Sequence, residues 1–213
     1  MFLAHFGMAF AAKRIEPKIN LGVCILASQF IDLIWPIFVL LGWESVSPLS
    51  EKMGMNVLKF DSYPFSHSLV ATFFWSFLVA GVFYLVRREK RPSLVLFFLV
   101  LSHWFLDLLV HEPDLPLLDD SSIKVGFLLW RSVPITVLLE LGIFFAGIWL
   151  FLTRKVRLSK GSLISFIVLI VFLLAIYASS IFGPVPPAGT SAAMLAGPAL
   201  LMWLFVLWGR YLK

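Results

Sequence analysis

Charged residues are scarce in this chain, and cysteine is nearly absent. Only 14% of its 213 residues are Asp, Glu, Lys or Arg, and 61% are hydrophobic. A soluble domain carries about 25% charged and roughly 45–50% apolar residues, so an apolar surplus of this size has to face lipid. Helices satisfy their backbone hydrogen bonds internally, and the sequence lacks the alternating pattern of membrane-spanning strands. These features predict an all-α integral membrane protein.

The single cysteine, Cys24, excludes an intramolecular disulfide and a cysteine-based zinc site. The formal net charge is +5. In a membrane protein, an excess of Lys and Arg reports the orientation of the chain before it reports a nucleic acid. We therefore expect the lipid bilayer as a partner and no nucleic acid.

Six stretches are each long and apolar enough to span a bilayer, which takes about 20 mostly apolar residues. They cover residues 21–42, 63–86, 93–110, 132–152, 162–182 and 191–208. A shorter apolar stretch, residues 1–12, precedes them. It predicts either an interfacial helix or a re-entrant helix that enters the bundle.

Basic residues are concentrated in alternate loops between these stretches. With six spans, the following basic residues fall on one side of the membrane: Lys13, Arg14, Lys18, Arg87, Arg88, Lys90, Arg91, Arg154, Lys155, Arg157, Lys160, Arg210 and Lys213. The opposite loops contain only three lysines, Lys52, Lys59 and Lys124, against their acidic residues, with Arg131 directly before the fourth span. The loops on the opposite side, 44–62 and 111–131, are rich in Asp, Glu, Pro and Ser. By the positive-inside rule, both termini are predicted to be cytoplasmic.

The predicted spans and their ends hold ionisable side chains. Such a group costs about 2.5–3.5 kcal/mol at the centre of a membrane helix and rarely persists there without a role. The set comprises Asp32, His67, His103, Asp107, His111 and Glu140, with His5 in the short N-terminal stretch.

The stretch LSHWFLDLLVHEPD is the most informative. His103, Asp107 and His111 are four residues apart, so they share one helix face at intervals of about 6 Å along the axis. An H-x-x-x-D pair on one face is typical of a metal site. Asp32 and His67 are expected at a similar depth in the outer half of the membrane. Two imidazoles and two carboxylates suit zinc or another divalent ion.

Each of these residues also has a simpler interpretation. A lone intramembrane histidine is often a hydrogen-bonded contact between helices, which applies to His67 and His111. Asp32 can cap a kink near Pro36. Five such residues on three consecutive helices nevertheless favour one shared site.

Glu140 has three interpretations from the sequence. It is a partner of the metal ligands, a proton carrier, or the counter-ion of Arg131 at the outer end of the fourth span. His5 joins the site only if the N-terminal stretch enters the bundle, and is otherwise an interfacial histidine.

The order of His5, Asp32, His67 within PFSHSL, and His103 and Asp107 within SHWFLD resembles the YdjM-like family of membrane-bound metal-dependent hydrolases. Members of that family have an early His, an Asp in a first span, a T-H-S-like segment and an H-x-x-x-D helix. The resemblance covers roughly the first 115 residues. The family is distantly similar to zinc-dependent phospholipase C and the P1-type nucleases, where Asp, His, His and Asp hold a zinc in the same chain order.

The resemblance implies six candidate metal ligands in this chain: Asp32, His67, His103, Asp107, His5 and His111. The first four would bind one ion, zinc by analogy, and the last two would serve a second or third. The acidic signature of the soluble hydrolases is shortened here to F-I-D-L, and the histidine-rich segment to Y-P-F-S-H-S, so the sequence supports one ion or two. The resemblance also implies a bacterial-type cytoplasmic membrane.

Together these features predict a membrane-embedded hydrolase that cleaves a phosphoester in a lipid or lipid-linked substrate. A divalent ion would activate water at neutral pH. Asp107 or Glu140 would act as general base, and Arg131 would bind the phosphate. We expect residues 1–213 to form one polytopic domain, with the metal-site core at 1–153 and an apolar helical pair at 162–210.

Two other functions stay open at this point. Chains of Asp, Glu and His in a membrane also mark ion and proton pathways, so a proton- or ion-coupled transporter is one alternative. A non-catalytic membrane protein with a closed, structural metal site is the other.

Overall fold

The computed structural model of the protein describes residues 1–153 and 158–212. Four residues of the predicted cytoplasmic segments, Arg154, Lys155, Arg157 and Lys213, lie outside the described residues. The α-helices are α1 (Leu3–Ile15), α2 (Leu21–Ser28), α3 (Phe30–Leu40), α4 (Pro64–His67), α5 (Leu69–Arg87), α6 (Lys90–Val110), α7 (Val133–Leu152), α8 (Lys160–Phe182), α9 (Ala192–Ala196) and α10 (Met202–Tyr211). The remaining elements are two 3-10 helices (Leu129–Arg131 and Gly197–Leu201) and strands β1 (Ser45–Met53), β2 (Asn56–Ser62), β3 (Leu115–Pro116) and β4 (Lys124–Val125).

Within the described chain, five helical segments are long and apolar enough to cross a membrane. Four of them are α5, α6, α7 and α8, and the fifth runs from Ala192 to Tyr211 through α9, a 3-10 turn and α10. The pair α2 and α3 passes the same test jointly but is bent by 56°. The described chain therefore has five such segments, or six if the bent pair is one span. The prediction of a mostly helical chain is confirmed, and these apolar helices agree with an all-α membrane protein.

The outer surface of the bundle is apolar and its interior contains polar groups. In α5 only Thr72 and Ser76 are buried, while Leu85 and Val86 are 63% and 74% exposed. Both hydroxyls bond back to carbonyl oxygens one turn earlier in the chain, as isolated polar groups in apolar helices do. A soluble helix has the reverse pattern, so this surface is one that lipid would cover.

Helix α1 lies inside the bundle instead of on its surface. Its first ten residues are almost wholly buried, and it packs along α7, α2 and α6. The close approach to α7 occurs at two glycines: a Cβ on Gly147 would lie 2.1 Å from the Gly7 carbonyl oxygen. Of the two predicted positions for the N-terminal stretch, the one inside the bundle is found, and it brings His5 into the interior.

The outer loop at 44–62 forms a β-hairpin that the sequence analysis did not predict. Strands β1 and β2 pair antiparallel, with Val46 opposite Phe60. Gly54 turns the chain at φ +61°, and a Cβ there would lie 1.9 Å from the Trp130 carbonyl oxygen. The tip is held by Lys52, whose ammonium donates to the carbonyl oxygens of Ile181 and Gly183 at the end of α8. The hairpin thus lies across the end of the bundle that the sequence predicts to face outward.

The contact between α1 and α7 can be tested with matched alanine substitutions. Gly147→Ala places a methyl group against the Gly7 backbone and should cost about 1–3 kcal/mol of stability, the usual range for overpacking. Gly142→Ala, one and a half turns earlier in α7, meets no atom within 4 Å and should be neutral or slightly stabilising. Thermal unfolding of both variants in one detergent measures the difference. Equal stabilities would show that the two helices are not in backbone contact.

Candidate metal centre

A cavity of about 300 Å³ lies between the β1–β2 hairpin and the outer half of the helices. Four ionisable side chains line it: Asp32 of α3, His67 of α4, Asp107 of α6, and His111, which directly follows α6. Glu140 of α7 also lines it, and Trp35, Phe60 and Trp130 supply apolar surface. Five of the predicted site residues therefore line one cavity, and His5, His103 and Arg131 are not among its lining residues.

His103 is held in a single tautomer. Its Nδ1–H donates to the carbonyl oxygen of Ser28 at 2.8 Å, and a carbonyl can only accept. That carbonyl is available because α2 ends at Ser28 and the helix bends before α3 begins, which leaves the last carbonyls of α2 without helical partners. In the neutral ring, the lone pair of His103 therefore lies on Nε2, which is fully buried.

The His103 Nε2 atom faces two carboxylates. It lies 3.1 Å from Asp107 Oδ2 on the same helix and 3.5 Å from Asp32 Oδ1 on α3. Three electron pairs that face one another without water repel, so a cation has to lie among them. A proton on Nε2 is one such cation, and a divalent metal ion is the other. Donation of Nδ1–H to a backbone carbonyl is the usual arrangement of a metal-ligating histidine.

His67 repeats this arrangement. Its Nδ1 lies 2.7 Å from Ser66 Oγ, and its Nε2 lies 3.4 Å from Asp32 Oδ1. Asp32, His67 and His103 each offer one ligand atom, and these atoms all lie within 4.8 Å of one another. The three residues form a first group that could hold a metal ion.

His5 completes a second group with His103 and Asp107. Its Nε2 lies 3.1 Å from Asp107 Oδ1, and its ring stacks on that of His103 with centroids 3.7 Å apart. The amino group of Met1 also contacts Asp107 Oδ1. Because one nitrogen lone pair binds one ion, the shared His103 limits the two groups to one ion, or to two ions that Asp107 bridges.

Glu140 anchors α1 from the neighbouring helix. Its Oε2 accepts hydrogen bonds from the backbone N–H groups of Phe2, Leu3 and Ala4 at 2.6–3.3 Å. A carboxylate at a helix N-terminus satisfies donors that have no partner within the helix. Glu140 therefore fixes the helix that carries His5, and it is not the counter-ion of Arg131.

Arg131 and His111 take no part in either group. The Arg131 guanidinium is bound by both carboxylate oxygens of Glu112, at 2.9 and 2.6 Å, and its side chain is 58% exposed. The ring of His111 lies 6.5 Å from that of His67, and its Nδ1 is 3.1 Å from Asp114 Oδ1. None of the described residues hydrogen-bonds His111 Nε2, so this nitrogen is free to act in the cavity.

Three residues that support the ligands were missed from the sequence. Ser28 contributes only a backbone atom, for which a sequence holds no signal. Ser66 and Glu44 form a chain behind His67: the Ser66 backbone N–H and hydroxyl donate to the two Glu44 oxygens, each at 2.7 Å. Glu44 was noted only as an acidic residue of the outer loop, because contact between Glu44 and Ser66 depends on the hairpin fold.

Glu44 lies beyond the end of α3 and is buried, and this burial raises its pKa to about 7. A carboxyl group whose pKa is raised by folding costs stability as it ionises, so the cost is absent below about pH 4.5 and complete above about pH 7. We expect Glu44→Gln to gain up to about 3 kcal/mol over the unmodified protein across that interval. The free energy of unfolding of both proteins, measured from pH 4 to pH 8, gives this difference. A difference that becomes smaller as pH rises would contradict a raised pKa for Glu44.

Metal content tests the ligand groups directly. The unmodified protein should bind one or two zinc ions per chain after loading. His103→Ala removes a ligand that both groups share, so it should reduce affinity by more than the 10–100-fold typical of outer-shell losses. His111→Ala, in the same cavity but outside both groups, serves as the control and should retain the metal. Mass spectrometry of purified protein gives the counts, and equal loss in both variants would refute the grouping.

No protein-family model, curated protein or solved structure matches this chain. The resemblance to the YdjM-like family accordingly stays a prediction from short motifs. What the structure adds independently is that buried His and Asp groups of the chain could hold a metal ion.

Proposed function

We propose that this protein is a membrane-embedded, metal-dependent hydrolase that acts on a phosphoester of a lipid or lipid-linked substrate. The observation that carries the proposal is the convergence of the Nε2 atoms of His67 and His103 on the carboxylates of Asp32 and Asp107, which line the cavity, with both Nδ1 atoms hydrogen-bonded on the opposite side of their rings. A metal-ligating histidine usually has this arrangement, with its other ring N–H donated to a protein acceptor.

Zinc is the metal that we propose. Imidazole nitrogen and carboxylate oxygen are both common zinc ligands, and the described ligand atoms include no sulfur. A group of two histidines and one aspartate supplies three ligands, which leaves a position open for the reaction, as in catalytic zinc sites. A divalent ion in this place would supply a hydrolytic nucleophile at neutral pH and polarise a phosphoryl oxygen.

Asp32 is the carboxylate best placed to accept a proton from attacking water. Its side chain is 27% exposed and lines the cavity, whereas that of Asp107 is 2% exposed and both its oxygens face other groups. Asp32 Oδ1 faces the two histidines, and none of the described residues contacts Oδ2. We assign the base to Asp32 in preference to Asp107 or Glu140, since the oxygen Oε2 of Glu140 is engaged by the N-terminus of α1.

His111 is placed to give a proton to the leaving group. Asp114 accepts from its Nδ1–H and the Tyr63 hydroxyl donates to the same carboxylate at 2.9 Å, which orients the ring. As a water oxygen bonds to phosphorus, its proton passes to Asp32. As the ester P–O bond breaks, His111 acts in its imidazolium form: it gives its Nε2 proton to the departing oxygen and becomes neutral, while its Nδ1–H stays bonded to Asp114. Arg131 is bound to Glu112 outside the cavity, so no phosphate-binding role is assigned to it here.

The size and lining of the cavity support a lipid substrate. A volume of about 300 Å³ suits a phosphate and its immediate substituents, and it is too small for acyl chains as well. Trp35, Phe60 and Met202 add apolar walls. The apolar exterior of the bundle leaves the rest of a lipid molecule in the bilayer.

Activity is tested with purified protein in phospholipid vesicles loaded with zinc or manganese. We expect turnover of vesicle phospholipid or of bis-p-nitrophenyl phosphate, lost in His103→Ala together with the metal. His111→Gln should keep the metal and lower kcat by about 10²–10⁴-fold, the usual contribution of a general acid.

Asp119→Asn is the control. Among the described residues, the carboxylate of Asp119 bonds to neighbouring serines, so the substitution should leave activity unchanged. No turnover by the metal-loaded protein on either substrate would reject the hydrolase. Proton flux into the vesicles without turnover would instead favour the transporter.

A further inference from the structure

We propose that Glu44 is a positioning residue that sets the tautomer of His67 through the hydroxyl of Ser66. The inference deepens the proposed function, on which it rests, by naming the group that prepares one ligand for metal. Glu44 follows α3, Ser66 and His67 lie in the short helix α4, and all three side chains are buried. The contact therefore joins two segments that are more than twenty residues apart in sequence.

The direction of each hydrogen bond follows from what the groups can donate. An ionised carboxylate only accepts, so Glu44 takes the Ser66 backbone N–H on Oε1 and the Ser66 hydroxyl proton on Oε2. A hydroxyl has one proton, and this one is now used. The Ser66 oxygen must then act as acceptor toward His67 Nδ1, which lies 2.7 Å away.

The consequence for His67 is a fixed lone pair. With its proton on Nδ1, the neutral imidazole has an unprotonated Nε2, and this atom faces Asp32 Oδ1 at 3.4 Å. His103 reaches the same state by another route, because a backbone carbonyl holds its Nδ1–H. One ligand is thus oriented by the backbone, and the other depends on the ionised side chain of Glu44.

Glu44→Gln reverses the direction of the hydrogen bonds from the Ser66 hydroxyl to Glu44 and from His67 to Ser66, and it keeps the size and shape of the side chain. The amide oxygen has to take the position that accepts the Ser66 backbone N–H, which places the amide NH₂ where Oε2 was. That group donates to the Ser66 oxygen, so the hydroxyl proton turns toward His67 Nδ1. His67 then carries its proton on Nε2, where it bonds to Asp32, and this proton has to move before Nε2 can bind a metal ion.

The test uses metal-free protein labelled with ¹⁵N at histidine, in detergent at pH 8, above the pKa of about 7 to which burial raises Glu44. The unmodified protein should show His67 as the Nδ1–H form, and Glu44→Gln should show the Nε2–H form. In parallel, zinc affinity measured by competition with a chelator should fall by about 10–100-fold in Glu44→Gln, as for other outer-shell partners.

Glu51→Gln is the matched control, since Glu51 is an exposed carboxylate on β1 of the same hairpin. It should leave both the tautomer and the affinity unchanged. An unchanged His67 tautomer in Glu44→Gln would overturn the inference. If the tautomer changes but the unmodified protein binds no zinc, the role of Glu44 stands and the proposed hydrolase falls, so the two failures are distinguishable.

Discussion

A carbonyl oxygen can only accept a hydrogen bond, and the rest of the site depends on that constraint. The Ser28 carbonyl determines which nitrogen of His103 carries the proton, and therefore where the lone pair points. His103 itself is fully buried, so its Nδ1–H depends on this protein acceptor. The same imidazole stacks on His5, faces Asp107 and Asp32, and belongs to both ligand groups. A different tautomer at this one residue would make the surrounding carboxylates partners of a proton in place of a metal.

Hydropathy predicted the spans well because the thickness of a bilayer imposes a one-dimensional length on each of them. The bend between α2 and α3 and the hairpin at 44–62 were not predicted. The bend depends on the point at which the backbone hydrogen bonds of α2 end. The hairpin depends on backbone pairing between two parts of one loop. The N-terminal helix was ambiguous in sequence because its apolar residues surround it. Such a helix is buried on all sides, and its sequence does not show which helices it contacts. The close packing at Gly7 identifies α7 as one of them.

Sequence spacing was enough to place His103 and Asp107 on one face, since a helix repeats every 3.6 residues. The cost of intramembrane charge singled out Asp32 and Glu140, though not their different tasks. Arg131 was assigned from depth alone, and its bidentate contact with Glu112 requires the fold of the second outer loop. The residues behind the ligands were out of reach for the same reason. Glu44 and Ser66 meet only after α3 and α4 have packed together.

The backbone contact between Gly7 and Gly147 links the packing of the bundle to the chemistry of its outer half. His5 lies two residues before Gly7, and Glu140 lies two turns before Gly147, so both are positioned from one point of closest approach. A shift of about 1 Å in a reacting group can cost a hundredfold in rate. Any solvent that lets α1 and α7 separate slightly would therefore move His5 away from Asp107 while leaving the helices intact. The lateral pressure and thickness of the surrounding lipid would then affect the positions of the candidate ligands. A measurement of helical content would not detect such a change, so it is a poor measure of the native state of this protein.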